Sequence, residues 1–209
     1  MRDVEDAVAQ WVGGMEPPQI VSLAPYRLHD IAADMERVAE ALGVAARGRE
    51  LAHRMSGRMR AIEERVRLAQ ERPGVACIEW IDPLMAAGNW MPELVAMAGG
   101  RNLFGEAGIH SPWMKLEELL ARAEQIDVII TMPCGFDLER TAQEVSLLAK
   151  HPEWTRLKAV RDDRVYMADG NQFFNRPGPR IAESLEILAE IVHPELFPPI
   201  HEGSGWRRA

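Results

Sequence analysis

The chain has 209 residues, 47% hydrophobic and 27% charged, with a formal net charge of −8 from 32 acids against 24 bases. That size fits one large domain or two small ones, with a core that needs no disulfide or metal staple. The acidic balance excludes a general nucleic-acid role, because phosphate binding needs a basic face, and no apolar run approaches the ~20 residues that span a bilayer.

Val4, Val8 and Trp11 share one face of a short helix predicted over 3–12 and ended by Gly13-Gly14 and Pro17-Pro18. The opening MRDVEDAVAQW lacks the basic and apolar regions of a secretory signal, so the chain as written reads as cytoplasmic. A missing N-terminal part would instead make it periplasmic or membrane-anchored. Ile20 to Leu23 reads as a brief strand closed by Pro25. Leu28, Ile31, Met35, Val38 and Leu42 recur every three or four residues, an amphipathic helix with Gly43 as its stop. The longest helical signal covers residues 45–72, with Leu51, Met55, Met59, Ile62, Val66 and Ala69 on one face. At 1.5 Å per residue it would be roughly 40 Å long. Its arginines are interleaved with Glu63 and Glu64, the pattern of a solvated face.

After Pro73-Gly74 the pattern changes. Strand-like runs at 75–81, 127–132 and 164–169 alternate with helix-like runs at 92–98, 116–123, 139–150, 153–160 and 179–192. That alternation predicts an α/β fold with a parallel sheet between helical layers. The tail after Pro198 reads as loose.

In an open α/β sheet, ligands bind beyond the C-terminal ends of the strands. Three such ends carry unusual loops: WIDPLMAAGNWMPE from Trp80, MPCGFDLER from Met132, and NQFFNRPGPR from Asn171 to Arg180. In the last, two prolines fix φ and remove backbone donors, which stiffens the loop. Together the loops offer Trp80, Trp90, Phe136, Phe173 and Phe174, with Asn89, Asn171, Gln172, Asn175, Arg140 and Arg176. Aromatic faces ringed by neutral amides suit a large, flat, partly apolar ligand. Tucking of the two phenyl rings of 173–174 into the core is the plainer alternative. Cys77 and Cys134 form no CxxC or zinc spacing and read as buried free thiols. A nucleophilic Cys134 beside Gly135 is a further possibility, without an evident partner histidine. The six histidines show no metal-ligand spacing.

The runs EWIDPLMAAGNWMPELVAMAGG, MPCGFDLER, RVYMADGNQFFNRPGPR and HPELF resemble the vitamin B12 and ferric-siderophore substrate-binding proteins of ABC importers, and their cobalamin-binding branch most. The resemblance implies a three-layer helix/parallel-sheet/helix lobe preceded by a long inter-lobe helix. Residues 1–27 would be a remnant of the N-terminal lobe, 28–74 a helical linker with the long helix, 75–197 the C-terminal ligand-binding lobe, and 198–209 a flexible tail. On that resemblance the N-terminal lobe would be nearly absent from the residues given, and Asn89 stands where the family often has histidine. The implied role is non-catalytic binding of a corrinoid, with ferric siderophore or haem as alternatives, no required cofactor and no metal site. An importer permease would be the partner. The implied ligand set is Trp80, Asn89, Trp90, Cys134, Gly135, Phe136, Arg140, Phe173, Phe174, Arg176 and Pro177. Trp90 and Phe173 would pack on the macrocycle, while Gly135, Phe136 and Arg176 shape the edge. With its sheet partners missing, Ile20–Leu23 would be an open edge, so homodimerisation or swapping through residues 1–30 is expected. A ligand-free lobe that only self-associates is the alternative function.

Overall fold

A computed structural model describes residues 3–4, 6–8 and 19–209. Of the helix expected over 3–12, residues 3–4 and 6–8 are helical; its remainder and the Gly and Pro stop signals lie outside the described residues. So does part of the segment expected to dimerise. Ile20–Leu23 is not a strand but irregular chain, with Ile20 and Leu23 exposed. A strand is stabilised by a ladder partner, and no neighbouring strand lies beside this run among the described residues.

Helix α1 (Leu28–Ala41) and helix α2 (Ala45–Val66) form an antiparallel hairpin around the turn at Gly43. Gly48 allows their close crossing: a Cβ there would lie 2.3 Å from the Ala39 Cβ. At 22 residues α2 spans about 33 Å, shorter than its apolar spacing suggested. The reason is burial. Val66 is the last residue of the stripe with a core to face, and Leu68 beyond it is 73% exposed.

The sheet is built from β1 (Gly74–Trp80), β2 (Met85–Ala86), β3 (Arg101–Asn102), β4 (Val128–Thr131), β5 (Val165–Ala168) and β6 (Trp206–Arg208), in the order β2-β1-β4-β5-β6 with β3 also on β1. β3, β1, β4 and β5 run parallel, while β2 and β6 are antiparallel additions at the edges. Side-chain alternation sends Val75, Cys77, Val128, Ile130, Tyr166 and Ala168 to one face, where α2, α3 (Met91–Met97) and α7 (Ile181–Val192) cover them. Ala76, Ile78, Ile129, Val165 and Met167 go to the other, with α4 (Leu116–Leu120), α5 (Leu138–Ala149) and α6 (Lys158–Arg161). The expected three layers are therefore present. Among the described residues no helix is long and apolar enough to cross a membrane.

The tail corrects the sequence reading. Residues 206–208 pair with β5, and Trp206 sits in the core at 6% exposure. Its indole N–H donates to Glu190 Oε2 at 2.7 Å, and the Glu190 carboxylate also accepts the His201 N–H at 3.0 Å. A single inward tryptophan in a Gly- and Arg-rich stretch gives little periodic signal, which is why the strand is hard to read from sequence.

Candidate functional site

Because β1, β4 and β5 are parallel, their C-terminal ends lie at one edge, and the loops that leave them bond to one another. The Cys134 N–H donates to Glu79 O (3.3 Å), Asn171 N–H to Phe136 O (3.0 Å), and Gly135 N–H to Gly170 O (3.4 Å). Asn175 Nδ2 donates to Met132 O at 2.9 Å, and Trp90 Nε1 to Phe174 O at 2.9 Å. Gly135 holds φ at +79° at the exposed tip, a conformation that glycine takes without strain.

The structure divides the expected ligand residues into two groups. Trp80 and Phe136 meet with ring centroids 5.2 Å apart, and the Arg140 guanidinium lies 5.1 Å above the Phe136 ring. Cys134, Gly135, Arg140, Arg176 and Pro177 are exposed, and Trp80, Asn89 and Phe136 partly so. Arg176 is steadied by Asn171, whose backbone oxygen accepts from Nε at 3.0 Å. The second group faces inward. Phe174 is fully buried, Phe173 is 6% exposed and Trp90 9%. The rings expected to pack on a ligand at 90, 173 and 174 are thus core residues. The hydrophobic gain of burying a phenyl, roughly 1.5–3 kcal/mol, exceeds anything an exposed rotamer offers without a ligand. Arg180 stacks 4.5 Å above the Phe173 ring and covers what remains of it.

A fourth element was missed. The segment between β3 and α4 folds back over the site: Asn89 N–H donates to Ile109 O (2.7 Å) and Gly108 N–H to Asn89 O (2.9 Å). Ser111 ties it down, its hydroxyl donating to Glu79 Oε2 at 2.7 Å and accepting the Gly88 N–H at 3.0 Å. Glu79 sits at the floor of a recess of about 80 Å3, lined also by Gly88, Asn89, Trp90, Met91, Cys134 and Asn175. Burial pushes its carboxyl above the ordinary value, opposed by the Ser111 hydrogen bond and by His110. The signal was present in the sequence: a carboxylate inside the apolar run Cys77-Ile78-Glu79-Trp80 near a strand's C-terminal end. Glu93, by contrast, is structural. Its Oε2 accepts the Leu28 N–H at 2.9 Å and ties α3 to α1.

The thiols are not arranged for nucleophilic chemistry. Burial pushes Cys77 up to about 12. Cys134, exposed rather than buried as expected, is also raised, by desolvation and by the Glu79 charge, against Arg176. Among the described residues no hydrogen bond joins Cys134 to a histidine, and no group of three or more His, Cys, Asp or Glu could hold a metal ion. Iodoacetamide is expected to label Cys134 in the native protein and leave Cys77 unmodified until urea unfolds the chain. Peptide mass mapping reads this, and equal labelling of both thiols would contradict the burial of Cys77.

The profile of the family described as periplasmic binding protein matches residues 15–171. An uncharacterized ABC transporter substrate-binding lipoprotein of Bacillus subtilis is 21% identical over 173 residues, 80% of this chain but 51% of its own length. The chain thus spans about half of that relative. The vitamin B12-binding protein of Vibrio cholerae is 23% identical over 207 residues, 90% of this chain and 68% of that protein. Among solved structures, a Staphylococcus aureus protein complexed with heme superposes with a TM-score of 0.71 at 17% identity, covering 91% of this chain and 74% of that one. These likenesses do not support the cytoplasmic reading drawn from the first residues: the family is periplasmic by description, and the Bacillus relative is a lipoprotein.

Proposed function

Because this chain belongs to the periplasmic binding protein family, we propose that it serves an ABC importer as one wall of a substrate-binding cleft, and that its ligand is a corrinoid of the cobalamin type. The observation that carries this reading is the paired Trp80 and Phe136 surface at the strand ends, flanked by Arg140 and Arg176 and set on loops fixed by mutual hydrogen bonds. A preformed aromatic strip with cationic and amide margins fits a flat macrocycle carrying polar side groups. The similarity to the Vibrio vitamin B12-binding protein favours the corrinoid over haem or a ferric siderophore. Binding needs no catalysis, in keeping with two unactivated thiols. The importer permease would receive the ligand.

Cyanocobalamin is expected to quench tryptophan fluorescence, since Trp80 borders the site, and Phe136→Ala to weaken binding about tenfold, near 1.4 kcal/mol. Haemin and a ferric siderophore serve as competitors. No quenching at high micromolar cyanocobalamin would refute the corrinoid reading.

Self-association is the second reading, favoured by one feature. A groove of about 360 Å3 runs between α1, α2 and Pro177–Pro179, and exposed Leu23, Leu42, Val44 and Leu51 line it. Apolar side chains clustered this way mark contact surfaces. Light scattering reads it: a monomer at high concentration would remove it.

A further inference from the structure

The geometry points to the recess over Glu79 as a specificity subsite that accepts a neutral primary carboxamide at the ligand's periphery and rejects a carboxylate there. The inference deepens the corrinoid reading and rests on it for the ligand, but the chemistry of the recess can be tested without any corrinoid. At about 80 Å3 the recess holds a terminal amide group and no ring. Its polar atoms are unusually one-sided. The N–H groups of Gly88, Asn89, Met91 and Cys134 are all spent, on Ser111 Oγ, Ile109 O, Gly88 O and Glu79 O. The Trp90 indole N–H is spent on Phe174 O. Asn175 gives its Nδ2 to Met132 O and Gly170 O, which leaves its Oδ1 as an acceptor.

Glu79 uses Oε2 on the Ser111 hydroxyl, and among the described residues no protein donor reaches Oε1. The recess therefore presents mainly acceptors, with the Asn89 side-chain amide and the Trp90 backbone N–H, which has no acceptor among the described residues, as its available donors. A carboxamide matches that inventory: its NH2 meets Glu79 Oε1 and Asn175 Oδ1, and its oxygen meets Asn89. A carboxylate would lie against the Glu79 charge with few donors to hold it. Arg176, hydrogen-bonded to Asn171 O and Oδ1, opposes this at Cys134, but the Glu79 charge outweighs it there.

Cys134 lines the recess and serves as the probe. Its thiolate displaces iodide from iodoacetamide or from iodoacetate, forming the same S–C bond with a neutral amide or an anionic carboxylate attached. The ratio of the two rates is compared with that of free N-acetylcysteine. The ratio at Cys134 is expected to exceed the free-thiol value by about tenfold, equivalent to one pKa-unit of interaction. Glu79→Gln keeps an acceptor for Ser111 and should bring the ratio back to the free-thiol value, with unlabelled Cys77 reporting that the fold is intact. A wild-type ratio equal to the free thiol's, or an excess that survives Glu79→Gln, overturns the subsite. In a second arm, cyanocobalamin is compared with a corrinoid whose side-chain amides are hydrolysed to acids. Wild-type protein should prefer the amide form by about tenfold, and Glu79→Gln should lose that preference. If neither corrinoid binds, the corrinoid reading fails, while the alkylation ratio still decides the recess.

Discussion

Phe174→Ala is expected to lower the free energy of unfolding by about 3–5 kcal/mol. The ring has no exposed surface and lies in the cluster that includes α2, α3 and α7. Deleting it opens a cavity against neighbours that are themselves anchored: the Phe174 N–H donates to Ser184 Oγ at 3.0 Å, and its carbonyl accepts from the Trp90 indole. Those bonds hold the backbone in place, so the site cannot collapse to fill the void. The substituted chain also keeps the positive φ of 45°, which favours alanine no more than phenylalanine. For a chain of this size the loss corresponds to a melting temperature lower by about 6–20 °C. Calorimetry measures it. Below the new midpoint, ligand affinity should stay within about twofold, because the ring does not reach the strand-end surface. A drop in affinity at unchanged stability would mean that Phe174 faces the ligand instead.

Trp206→Ala should cost a similar amount, about 3–5 kcal/mol from the cavity alone. It also leaves Glu190 without its indole donor, and a buried acceptor that loses a partner costs roughly 1–3 kcal/mol more. Glu190 is only 4% exposed, so water replaces that donor poorly. The edge-on contact with Tyr166, ring centroids 5.5 Å apart, is lost as well. Trp206→Phe separates the effects, keeping most of the bulk while removing the donor. Urea denaturation compares the three proteins. A loose tail would give changes under about 0.5 kcal/mol for both variants.

How far the sequence could be read depended on whether a residue's partners lay near it in the pattern. The parallel strands were legible because Val128-Ile-Ile130 and Val165-Tyr-Met167 are short apolar runs buried on both faces. The hairpin of α1 and α2 was legible from its spacing and from Gly43. The end of α2 was not, because a helix stops where its core stops, and the neighbour that covers Val66 lies far along the chain. The same holds for β6, whose burial is decided by Glu190 and Tyr166. At the site, the meeting of three loops followed from parallel strands, but the direction of each aromatic did not. Adjacent rings at 173 and 174 look alike in sequence whether displayed or buried, and the Ser184 hydroxyl that fixes Phe174 inward is ten residues away. The polar floor depended on Ser111 reaching Glu79 across 32 positions, which no local motif encodes.

The connection from Ala168 to Ile181 is long and carries two arginines, the composition that trypsin normally finds easily. Cleavage needs a stretch of chain to leave the surface and enter the protease, and a loop usually does so alone. This one cannot, because lifting it would draw Phe173 and Phe174 out of the core along with it. Its open state therefore costs nearly as much as unfolding the whole sheet. The Phe174 amide should exchange its proton for deuterium only as fast as the entire protein unfolds, and the bond after Arg180 should survive trypsin for as long as the fold does.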